Sequence, residues 1–179
     1  MINILNTENL ITDIKNLGVS AATVFPPAEI KFDGIFRKMC KDNLCGRYGK
    51  NYKCPPFIGE PDDLKAEALS YDSAVLIQTI HKIEDSFDFE GMTESSKLFA
   101  RTTLGLKEAF SGGDMMVLGA GGCSYCETCT YPDAPCAFPE KTNVSLEACG
   151  VNVSQLCALA GFQYINGANT VTYTGIVLF

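Results

Sequence analysis

One histidine, His81, among 179 residues closes off a good deal of chemistry. A Cys2His2 finger and a two-histidine catalytic zinc site both need more imidazoles than the chain has. A serine hydrolase would have to use His81, and no G-x-S-x-G elbow is present to carry its nucleophile. At the end of an apolar strand, His81 reads more simply as a residue bonded to backbone. Also absent are an apolar run of the ~20 residues that a membrane helix needs, a repeat, a linker and a low-complexity tract. Positive charge is short too: 14 Lys and Arg stand against 21 Asp and Glu, a net charge of −7 that argues against general nucleic-acid binding. Met1-Ile2-Asn3-Ile4-Leu5-Asn6 lacks the basic region and long apolar stretch of a secretory signal, so the expectation is a cytoplasmic protein whose thiols stay reduced.

Sulfur is what the chain does have. Its nine cysteines fall mostly into two groups, and an odd count speaks against a pure disulfide framework. Cys123, Cys126, Cys129 and Cys136 form C-x2-C-x2-C-x6-C. Three thiols at successive two-residue gaps can take three corners of one iron–sulfur cubane, with a more distant cysteine at the fourth, and Cys136 suits that place. Zinc is the competing reading, but it usually takes thiols as two pairs a dozen or more residues apart. Cys40, Cys45 and Cys54 form a looser C-x4-C-x8-C run that ends in Pro55-Pro56. Either these three make a second centre with a ligand from elsewhere, or they leave one metal position open. Cys149, beside Gly150, is the candidate fourth ligand. Cys157 shares an apolar helix face with Val153, Leu156 and Ala160 and reads as a small buried hydrophobe. Gly119-Ala120-Gly121-Gly122 before Cys123 is a poor phosphate loop, lacking the third glycine of the dinucleotide fingerprint and the Lys-Ser/Thr of a P-loop.

Charge is segregated along the chain. Arg37, Lys38, Lys41, Arg47, Lys50 and Lys53 accompany the first cysteine group with only Asp42 opposing, whereas ten carboxylates lie between Glu60 and Glu94. Thiolate-bound clusters are anionic, so cations beside one stabilise it and raise its reduction potential. A solvated basic loop, or a surface for an acidic partner, fits the same pattern.

The periodicities predict a helix after Thr7 with a stop at Gly18, a strand over 21–25, and a half-buried strand at Ile30 and Phe32. The glycines and prolines between 46 and 59 predict that the first three thiols sit on a folded loop. Pro61 opens a helix, Ala74-Val75-Leu76-Ile77 reads as a strand buried on both faces, and a longer helix runs from Thr93 to Gly112-Gly113. Met115 to Leu118 is a strand, Asn152 caps a helix, and Val171 to Phe179 is a closing strand. The expected fold is α/β, a single domain over 1–179, with a mixed or parallel sheet, flanking helices and two cysteine-rich metal-binding loops.

Cys40-Lys41-Asp42-Asn43-Leu44-Cys45-Gly46-Arg47-Tyr48-Gly49 and Tyr52-Lys53-Cys54-Pro55-Pro56-Phe57-Ile58-Gly59 resemble the first motif of an uncharacterised family of predicted cysteine-rich metal-binding proteins of anaerobic bacteria and archaea. Gly121-Gly122-Cys123 through Cys136, Ser145-Leu146-Glu147-Ala148-Cys149-Gly150-Val151 and Val171-Thr172-Tyr173-Thr174-Gly175 carry the resemblance on; Tyr52 stands where tryptophan is expected. The resemblance implies metal binding in an anaerobic cytoplasm and supplies no reaction. Taken with the spacing, it leads to an expected small redox protein with one or two 4Fe-4S clusters, passing electrons to a redox partner protein. A zinc-binding structural or interaction module, and an enzyme with an open-site iron–sulfur centre, stand as alternatives.

Overall fold

The computed structural model describes residues 7–110, 114–123 and 125–179. Five strands make one mixed sheet: β1 (Ala21–Phe25), β2 (Ala74–Lys82), β3 (Met116–Gly119), β4 (Val144–Ser145) and β5 (Thr170–Leu178), in the spatial order β1-β2-β5-β3-β4. Every neighbouring pair is antiparallel except β3 and β4. Leu76, Ile176, Leu118 and Val144 lie in register across four strands. Because β3 and β4 run in parallel at one edge, their carboxyl ends open side by side. Crevices at such ends are where α/β sheets commonly place ligands.

Strand residues alternate faces, and here both faces are apolar. Ala74, Leu76, Leu118, Ile176 and Leu178 face a layer built with α3 (Pro61–Leu69) and α5 (Val153–Leu159). Val75, Ile77, Val117 and Val177 face Leu10 and Ile14 of α1 (Thr7–Asn16) and Phe99 and Leu106 of α4 (Phe89–Ala109). That two-sided burial explains the unbroken apolar runs in β2 and β3, as expected for a strand with no solvent face. Among the described residues no helix is long and apolar enough to cross a membrane.

Gly175 in the middle of β5 lets α4 approach the sheet. A Cβ there would stand 2.9 Å from the Leu118 carbonyl oxygen and 3.0 Å from Phe99 Cζ, in a ring that stacks on Tyr173 at 5.6 Å. Gly175→Ala is therefore expected to destabilise the fold by about 1–3 kcal/mol through overpacking, measured as a lowered midpoint in chemical denaturation with unchanged slope.

Three local expectations need correction. Ile30 and Phe32 do not form a sheet strand: Phe32 makes a single antiparallel bridge to Val151, while Asp33 N–H donates to Gly150 O at 2.7 Å and Asn152 N–H to Lys31 O at 3.1 Å. The segment thus pairs with the turn that carries Cys149, not with the sheet. A helix the glycine pattern argued against, α2 (Gly34–Lys41), precedes the first loop and carries Cys40. Asp33 caps it by accepting from Ile35 N–H at 2.9 Å, and the glycines that obscured it all follow Asp42. Third, α4 begins at Phe89, with Asp88 accepting from Gly91 N–H at 2.7 Å. The solvent-exposed Phe89 and Gly91 broke the apolar period there. The expected stop at Gly112-Gly113 and the side chain of Thr7 lie outside the described residues.

Candidate metal centres

From β3 the chain passes Gly121 and Gly122 and delivers Cys123 at the open sheet edge. Cys123, Cys126, Cys129 and Cys136, each half-buried, line one void of about 20 Å³ with Tyr52 and Lys53. The return that brings Cys136 back is pinned by Ala134 N–H to Thr130 O and by Thr130 Oγ1 to Pro135 O, both at 3.0 Å. Lys107 of α4 ties the end of this loop down by donating to Thr142 O at 2.7 Å and Glu140 O at 3.3 Å. Burial in that position holds the Lys107 ammonium down to about 8. Burial also pushes the Cys123 thiol up, and so do the neighbouring charges of Cys126, Cys129 and Cys136, opposed by the Tyr125 N–H. Thiols that raise one another in this way are a set that cations would bind together.

The first group converges as well. Cys40 ends α2, Cys45 is exposed on the following turn, and Cys54 is 6% exposed. Asn43, at φ +55°, shapes the turn and accepts from Tyr48 N–H at 3.0 Å; Gly49 N–H closes the loop on Pro55 O at 2.8 Å. The three thiols line a cavity of about 270 Å³ together with Gly121, Gly122 and Glu147. Burial raises Cys40, and the charges of Cys45, Cys54 and Glu147 raise it further against the pull of Arg37.

The two loops, some seventy residues apart in sequence, pack directly on each other. The backbone N–H of Cys123 is directed at the Cys54 sulfur, where with Asn51 and Arg47 it opposes the upward push of burial and Cys45. Gly122 makes this contact possible, since a Cβ there would lie 3.2 Å from both Cys54 Sγ and Arg47 Cγ. Across the junction Tyr52 OH donates to Ala134 O, and its ring sits edge-on to Phe57 at 4.6 Å and Tyr131 at 5.1 Å.

Seven of the eight cysteines expected as ligands therefore line one cavity or the other. Cys149 does not: it is 1% exposed within the apolar layer of Leu146, Val151 and Leu156, and burial pushes its thiol up to about 12. Cys157, fully buried, receives Gln78 Nε2 at 3.3 Å and lies 3.8 Å from Thr174 Oγ1. Cys157→Ala is accordingly expected to keep full metal content and lose on the order of 1 kcal/mol of stability, read by metal analysis beside denaturation. His81 bonds a side chain and not backbone, its Nε2 lying 2.9 Å from Thr79 Oγ1, far from either cysteine cavity's lining.

Two residues at the first cavity escaped the sequence reading. Arg37 is 5% exposed, donates to Ala148 O at 3.0 Å and to Gly59 O, and has no carboxylate in ion-pair range among the described residues. Glu147 presents a buried Oε2 with no hydrogen-bond partner. Burial raises its pKa, against its own and Gly121's N–H groups and Ser145. The signals were there, a carboxylate inside the apolar run before Cys149 and an arginine on a helix face, but neither has meaning without the tertiary contact.

A predicted metal-binding protein (DUF2284) family model matches residues 23–179, which spans both cysteine loops and all five strands bar the first two residues of β1. The chain belongs to this family of predicted metal-binding proteins. No curated protein and no solved structure matches it. Among the described residues, no group of three or more His, Cys, Asp or Glu side chains is drawn together tightly enough to hold a single metal ion. The family's metal-binding description therefore has to be met by thiols that share a cavity while standing apart.

Proposed function

We propose that the protein is a small iron–sulfur electron carrier with two adjacent centres, one held by Cys123, Cys126, Cys129 and Cys136 and one by Cys40, Cys45 and Cys54. The observation that carries this reading is the set of four half-buried thiols around one void, without the tight convergence a single ion demands. Four thiolates on zinc each stand about 2.3 Å from one point. Around a cluster each thiolate binds a different iron, so the sulfurs stand farther apart. When bound, a cluster supplies a reversible one-electron couple in a site that needs no acid or base.

The chain's own residues then set where electrons go. The Cys123–Cys54 contact places the two cavities side by side, a short path between centres. Arg47, Lys50, Lys97 and Arg101 line a cleft of about 930 Å³ whose wall includes Cys123, Cys126 and Cys129. Such a cationic rim beside the quartet suits an acidic redox partner, whose approach it would steer. Lys97 is the one cation of these four with an ion pair among the described residues, to Glu94 at 2.7 Å.

Anaerobic purification followed by iron, sulfide and zinc analysis tests the reading. The expected result is a coloured protein with about four iron and matching acid-labile sulfide for each filled centre. Colourless protein with zinc and no labile sulfide would replace it with the structural zinc module, in which the thiols staple the two loops together.

A further inference from the structure

We propose that the centre at Cys40, Cys45 and Cys54 takes its fourth protein ligand from the Glu147 carboxylate, not from a cysteine; this rests on the metal-binding reading above. Three thiols leave a metal centre one protein ligand short, and the wall they share contains a single carboxylate. That carboxylate is half satisfied. Oε2 is buried without a partner, and a desolvated acceptor is costly unless something positive meets it.

The position is built and rigid. β4 lies parallel to β3, so it delivers Ser145 and then Glu147 beside the Gly121-Gly122 turn that also walls the cavity. Ala148 N–H to Ser145 Oγ at 3.1 Å, Cys149 N–H to Ser145 O at 3.2 Å and Gly150 N–H to Glu147 O at 2.9 Å hold the turn. The same turn points Cys149 the other way, into the apolar layer. Arg37 lies beneath, bonded to Ala148 O and Gly59 O, a buried cation whose compensating charge is the group of thiolates and carboxylate above it.

The consequence is chemical asymmetry between the two centres. A carboxylate is a harder ligand than a thiolate and a poorer match for iron in a sulfur cluster. The Glu147 position is therefore the exchangeable one, where a small exogenous ligand can enter the 270 Å³ cavity. The quartet, all thiolate, has no such position.

The test uses the full chain purified without oxygen. Cys45→Ser, at an exposed position, defines by difference from the parent the share of metal and of the electron-paramagnetic spectrum that belongs to this centre. Glu147→Gln is expected to shorten the lifetime of that share under chelator challenge at least about ten-fold, since even groups behind a ligand carry that much. Its spectral component should change shape while the quartet's stays fixed. Glu147→Cys should restore the lifetime, and Cys149→Ala should leave both unchanged. Should Glu147→Gln fail to fold, Glu147→Cys alone decides: full metal with an altered spectrum supports the ligand, and an unaltered spectrum overturns it. Loss of the share in Cys149→Ala with Glu147→Gln unaffected assigns the ligand to Cys149 and overturns the proposal. No change in any variant, or no metal share to remove with Cys45→Ser, also overturns it. Zinc without sulfide in the parent would defeat the iron–sulfur reading only, because the same variants then report on zinc retention.

Discussion

Cys126→Ala is expected to remove close to one full cluster, about four iron with their sulfide, from the anaerobically purified protein. The effect is large because Cys126 shares a single void with three other thiols, and removing one corner of four leaves an iron without its protein ligand. Stability should fall with the metal, since a ligand bound only by the native state adds its binding free energy to folding. Metal analysis and thermal denaturation on the same preparation check both halves. The other centre should keep its iron, because its three thiols line a separate cavity. Unchanged iron in a folded Cys126→Ala protein would remove Cys126 from the ligand set.

Arg37→Met should produce the second large effect, and on two scales at once. The substitution keeps much of the side-chain volume but strips the donors from Ala148 O and Gly59 O, for an expected loss of about 2–4 kcal/mol. It also removes the one buried cation beside Cys40 and Cys149. With that positive charge gone, the oxidised-to-reduced step of the nearby centre becomes harder, so its reduction potential should fall while the quartet's moves less. A redox titration followed by electron-paramagnetic resonance separates the two centres. Equal potentials before and after, in a variant that still folds, would leave Arg37 as a structural anchor alone. Lys38, by contrast, is exposed and pairs with Asp42 at 2.9 Å, a surface contact of little consequence in salt. The basic segment of the sequence thus splits into one buried counter-charge, a residue at the junction (Arg47), and cations that face solvent.

That split shows where linear reading ends. Spacing alone identified the quartet, because two-residue gaps confine three thiols to one small volume whatever the surrounding fold. It also identified the buried strands β2 and β3, whose unbroken apolar runs have no solvent face to alternate with. The helix α2 was hidden by composition: its eight residues carry charge and a glycine at the start, and the stabilising cap at Asp33 is a single side chain. The half-strand at Ile30 and Phe32 had the right period for the wrong partner. Alternation reports that one face is covered, not by what, and here the cover is the turn at Val151.

What the sequence by itself determined is the chemistry available: thiols in two groups, a single imidazole, no apolar span of membrane length, and a family relationship that names metal binding. These are local or compositional properties, carried by neighbours in the chain. What only the tertiary structure decided is which groups share a cavity. The sheet's one parallel pair lays the ends of β3 and β4 together, and that alone brings Gly122 against Cys54, sets Glu147 on the wall of the three-thiol cavity and turns Cys149 into the core. Glu147 and Cys149 are two residues apart, and no periodicity distinguishes them; the direction of a pinned turn does.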